Sequence, residues 1–90
     1  MRFAAQVEVR LRPGIADPEG ATIERALPAL GFDDVREVRA GRSFRFEIDA
    51  ADEATARRRA GDLAQRLLAN PVIEESELEL TALAPAGDRP

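Results

Sequence analysis

The sequence has no cysteine, histidine, lysine, tryptophan or tyrosine. Each absence removes a chemistry. Without cysteine there is no thiolate nucleophile, disulfide or thiolate metal ligand. Without histidine there is no imidazole base near neutral pH and no common zinc site. Without lysine there is neither a Schiff base nor the lysine of a phosphate loop. A pair of carboxylates could still cleave glycosides, but 90 residues leave little room for a deep substrate cleft. The composition therefore points away from an enzyme acting alone, and the missing cysteines fit a cytoplasmic protein.

Long apolar runs are also missing. After Met1-Arg2-Phe3, charge returns at Glu8, so the opening residues do not form the apolar stretch of a secretory signal. No segment approaches the roughly 18 apolar residues of a membrane helix. Thirteen cations, all arginine, stand against 17 carboxylates, and the formal charge of −4 argues against a nucleic-acid partner.

What is present alternates. Phe3, Ala5, Val7, Val9 and Leu11 are apolar, and Arg2, Gln6, Glu8, Arg10 and Arg12 are polar. This predicts a strand with one buried face, ended by Pro13-Gly14. Asp17 can cap a first helix, with Pro18 in its first turn and Glu19 at the positive end of its dipole. Ile23, Leu27 and Leu30 recur on one helical face, and Gly31 is placed to stop the helix in a left-handed conformation. Pro28 removes a donor near that end, so the last turn is expected to kink or loosen.

Residues 35–40 read as a second strand whose Val35 and Val38 are out of phase. A turn at Ala40-Gly41-Arg42 then leads into a third strand, with Phe44, Phe46, Ile48 and Ala50 facing one way, and the two are expected to form a hairpin. Asp52 can cap a second helix reaching about Ala69. Its apolar stripe is Ala56, Ala60, Leu63, Ala64 and Leu67, and Asn70-Pro71 stops it. Residues 72–80 form a fourth strand, with Ser76, Leu78 and Leu80 opposite Glu75, Glu77 and Glu79. The fold expected is α+β: a two-layer βαββαβ ferredoxin-like plait, an antiparallel sheet with two helices on one face. Residues 1–80 make the single domain, and residues 81–90 have the composition of a flexible tail.

Three stretches stand out. Residues 11–20, Leu-Arg-Pro-Gly-Ile-Ala-Asp-Pro-Glu-Gly, set a rigid path from strand to helix but lack the spacing of a phosphate loop. Val38-Arg39-Ala40-Gly41-Arg42 places two guanidiniums at a hairpin tip. They are either a solvated turn or planar forks for a carboxylate or phosphate. In residues 67–74, Leu68 and Ile73 lie off the main stripes, as exposed apolar residues at a subunit contact would. Arg57, Arg58 and Arg59 read as a solvated helix face. The glutamates at 74, 75, 77 and 79 read as protection of an edge strand, with a metal site as the less economical alternative.

These stretches, with Leu-Gly-Phe at 30–32, Val-Arg-Ala-Gly-Arg at 38–42 and Leu-Leu-Ala-Asn-Pro-Val-Ile-Glu at 67–74, resemble in order and spacing the PurS family, small subunits of phosphoribosylformylglycinamidine synthase. The resemblance covers residues 2 to about 80. Pro28, Ser76 in place of an aromatic, and the length after Leu80 depart from it. It implies a non-catalytic subunit of a purine-biosynthetic complex that converts formylglycinamide ribonucleotide, ATP and glutamine to the amidine. Its partners would be the large synthetase subunit and the glutaminase subunit, which it bridges while assisting ammonia transfer, and it would form a homodimer or higher homo-oligomer. No cofactor is expected on this chain, with ATP and magnesium on the large subunit. The contact residues expected are Arg39, Arg42, Asn70, Pro71, Val72, Ile73 and Glu74. Two other readings compete: a free-standing small-molecule-binding regulatory plait, and an RNA-binding plait built on Phe44 and Phe46. The phase of these two phenylalanines matches core burial instead.

Overall fold

The computed structural model describes residues 1–84. It contains β1 (Arg2–Leu11), α1 (Pro18–Ala26), a single 3₁₀ turn (Pro28–Leu30), β2 (Gly41–Asp49), α2 (Glu53–Leu63) and β3 (Glu74–Ala82). A π-helical segment, Ala64–Leu68, continues α2. The described strands form one sheet in the order β2-β1-β3, antiparallel at both seams.

The alternation in β1 builds the core. Phe3, Ala5, Val7 and Val9 are all buried on one face; Ala56 and Ala60 of α2 are buried too, and Ala64 just after it packs with Val7 and Val9. Small alanines let the helix backbone come close to the sheet, where a larger side chain would overpack. The register places Val7 between Phe44 and Leu78, and Ala5 between Phe46 and Leu80. The two phenylalanines are therefore core walls, as their phase in the sequence implies. On the opposite face Arg10 meets Glu8, Glu75 and Glu77 at 3.1–3.3 Å.

Both predicted caps are present. The carboxylate of Asp17 accepts from the Gly20 amide at 3.0 Å, and that of Asp52 accepts from Thr55 at 2.7 Å. Pro28 separates α1 from the 3₁₀ turn, and Gly31 ends that turn at φ 90°, in the left-handed region glycine tolerates.

The α+β class and the antiparallel sheet with two helices are as expected, and the arrangement is consistent with a ferredoxin-like plait. The expected second strand is not formed. Residues 35–40 carry no strand, because their donors are taken by α1: Val38 donates to Glu24 Oε1 at 2.9 Å and Ala40 to Asp17 Oδ2 at 2.8 Å. Glu37, at φ 58°, breaks the extended path between Val35 and Val38. Gly41 and Arg42, read as a hairpin tip, are instead the first residues of β2. The last strand begins two residues later than expected and reaches Ala82, so Thr81 and Ala82 belong to the sheet. The Leu83 amide donates to the Arg2 carbonyl at 2.9 Å. The remainder of the expected tail, residues 85–90, lies outside the described residues.

Candidate functional site: a latched turn and an apolar helix face

The C-terminal end of α2 meets β3 through a five-residue turn. Asn70 organises it. Its side-chain Oδ1 accepts from the Val72 amide at 3.1 Å, and its carbonyl accepts from the Ile73 and Glu74 amides at 3.2 and 2.7 Å. Asparagine suits this place because its short amide mimics a backbone turn. Pro71, lacking an N–H, needs no acceptor there.

Two arginines, one in β2 and one just after β1, grip the turn. Arg12, just past β1, donates from Nε and Nη2 to the Pro71 carbonyl at 3.1 and 2.9 Å. Its backbone amide donates to the Ile73 carbonyl at 2.8 Å. Arg42 of β2 donates from Nη2 to the Leu68 carbonyl at 3.2 Å and lies 3.0 Å from both carboxylate oxygens of Glu74. Its guanidinium also sits 5.5 Å from the centre of the Phe44 ring, a cation–π distance.

Glu74 joins these groups. Its Oε1 accepts from the Asn70 amide at 2.7 Å, and its side chain is only 15% exposed. The Asn70 amide, and after it the Arg42 guanidinium, hold its carboxyl below the usual carboxylate range. The result is a fixed turn that leaves Val72 81% exposed and Ile73 and Pro71 exposed beside it.

The structure thus brings together Arg42, Asn70, Pro71, Val72, Ile73 and Glu74. Arg39 belongs to a different contact: its Nε lies 3.6 Å from Asp17 Oδ2. Asp17 is held below the usual carboxylate range first by the Gly20 amide, then by the Ala40 amide, with Arg39 adding a smaller pull. Glu75 and Glu77 are engaged with Arg10, and among the described residues no group of three acidic side chains gathers as a metal site.

Two features were missed in the sequence. Arg12 looked like the last polar residue of a strand, since its partner is 59 residues away. The stripe of Ile23, Leu27 and Leu30, expected on one face of the first helix, carries no sign of whether the chain covers it. In the structure Ile23, Leu30, Phe32 and Val35 are all exposed, and Leu27 is half-buried. This is a second apolar surface, at the helix that the sheet leaves uncovered.

The sequence pattern described as "PurS: Phosphoribosylformylglycinamidine (FGAM) synthase" matches residues 4–82. A Synechocystis sp. protein named phosphoribosylformylglycinamidine synthase subunit PurS is 40% identical over 81 residues, covering 90% of this chain and 81% of its own. The crystal structure of Methanocaldococcus jannaschii PurS superposes with a TM-score of 0.80 at 34% identity, covering 91% of this chain and 99% of that one. A chain of the Thermotoga maritima PurLQS structure gives 0.82 at 32% identity, covering 89% of this chain and 98% of that one. The chain belongs to the PurS family of phosphoribosylformylglycinamidine synthase subunits.

Proposed function

We propose that the chain holds a large synthetase subunit and a glutaminase subunit together and assists the passage of ammonia between them. Ammonia in neutral water is mostly protonated, and ammonium is not a nucleophile. A docked path that excludes water keeps it reactive and prevents its loss. Such a role needs shape and rigidity and no catalytic group. ATP and magnesium fall to the large subunit in this reading, and the setting is the cytoplasm.

One observation carries the proposal: an apolar turn, with Val72 81% exposed, held by hydrogen bonds from Arg12 and Arg42. A solvent-exposed valine on a hydrogen-bonded turn suits a contact that excludes water. The PurLQS assembly from Thermotoga maritima supports the choice of partners, because this chain resembles one of its components. The second apolar surface, on α1 and the residues after it, serves the homodimer or higher homo-oligomer.

The test is assembly. The chain is mixed with the cognate large subunit and glutaminase, and the complex is resolved by size. Co-migration of all three components is expected. Val72→Asp is expected to reduce it strongly, since a carboxylate would be buried without a partner. Full assembly of that variant would remove the turn from the contact surface.

A further inference from the structure

The two guanidiniums beside the turn look at first like contacts for an acidic partner, but their bonds within the chain point to another use. Arg42 turns one nitrogen on three acceptors of its own chain, the Leu68 carbonyl and both oxygens of Glu74. Arg12 spends two donors on one carbonyl, that of Pro71. Glu74 is mostly covered and already accepts from a backbone amide. The bonds run inward, from Arg12 after β1 and Arg42 in β2 to Leu68 and the turn that opens β3.

We infer that Arg12, Arg42 and Glu74 are positioning residues, which hold the turn at residues 70–74 in one shape so that Pro71 and Val72 meet the partner subunit already ordered. The inference rests on the reading of this turn as a docking surface. Its physical content is preorganisation. A short turn released from these bonds would sample many backbone conformations, and docking would have to select one, at a cost in affinity. Arg42 acts from β2 and Arg12 from the residue that follows β1, so the turn is tied to the sheet at two points. A direct charge contact would place these guanidiniums on an acidic patch of the partner. A positioning role needs no such patch.

A double-mutant cycle with an independent structural readout separates the two roles. The variants are Arg12→Met, Arg42→Met and Val72→Ala, alone and with each arginine change combined with Val72→Ala. Affinity for the cognate large subunit with its glutaminase is measured by titration. Amide hydrogen exchange is followed in the free chain, where protected β1 amides report that each variant is folded. Each arginine variant is expected to speed exchange at Asn70, Val72 and Glu74 and to weaken assembly about tenfold. Combined with Val72→Ala, the loss should be smaller than the product of the two single losses, because the arginine acts through the apolar contact. Unchanged exchange in the turn, or losses that multiply fully, would overturn the positioning role and leave the docking surface standing. Assembly of Val72→Ala with unaltered affinity would remove the docking surface, and the inference with it.

Discussion

A methyl group on Gly20 would lie 2.5 Å from Asp17 Oδ2 and 2.6 Å from the Val38 carbonyl, so this position admits no side chain. The reason is the way α1 is attached. Asp17 and Glu24 reach from the helix to amides of Val38 and Ala40, drawing the first turn of α1 against that segment. Gly20→Ala is expected to destabilise the chain by about 1–3 kcal/mol, measured by urea unfolding. An unchanged midpoint would mean that α1 is not held at this distance. The sequence showed Asp17 as a cap because capping is local, four residues long in all. It did not show the second use of the same carboxylate, which bonds a residue 23 positions away. Arg39 and Arg42 were equally visible as exposed cations, yet one serves Asp17 and the other Glu74.

In α2 the helical period read Leu67 as core and Leu68 as surface, and the structure exchanges them. The Ala69 amide bonds back five residues to Ala64, at 2.8 Å, and this π turn inserts one residue into the repeat. Leu68 therefore packs against the Val7 and Val9 cluster, while Leu67 is 75% exposed. Leu68→Ala should destabilise the chain by about 1–3 kcal/mol and Leu67→Ala by less than about 0.5 kcal/mol. Equal effects in thermal unfolding would contradict the π-helical register. The strands β1 and β2 were legible because a period of two survives into the sheet unaltered. Residues 35–40 were not, since their hydrogen-bond partners come from helix side chains and a positive φ at Glu37. The stripe of Ile23, Leu27 and Leu30, running from α1 into the 3₁₀ turn, was visible, but a pattern of apolar residues does not tell whether the chain itself covers it. Leu30, 69% exposed, offers a direct probe. Leu30→Glu should leave helix content intact and shift the chain toward monomer in sedimentation velocity; an unmoved distribution would clear the surface around Leu30 of that role.

The described residues form a long, shallow body, 52 × 36 × 15 Å, with one helix seated on the sheet and the other attached through carboxylates. That construction makes it acid-sensitive. Asp17, Asp52 and Glu74 all have lowered pKa values, caused first by the amides of Gly20, Thr55 and Asn70 respectively. Groups with depressed folded-state values stabilise fully above their unfolded values, near about 4, and lose that contribution as pH falls through the lowered ones. Stability should therefore be level from pH 7 down to about 5 and fall below about 4. In Asp17→Asn part of that acid-induced fall should be absent. A variant with the same fall would show that the Asp17 carboxylate contributes nothing in that window.

Assembly and ammonia transfer are properties of the complex, and its turnover reports on both. The cognate large subunit and glutaminase are assayed for amidation of formylglycinamide ribonucleotide, with glutamine or with ammonia, in the presence and absence of this chain. Glutamine-dependent turnover is predicted to require the chain and ammonia-driven turnover to need it much less. Equal rates with and without it from both nitrogen sources, and no complex by size, would contradict an assembly and ammonia-transfer role.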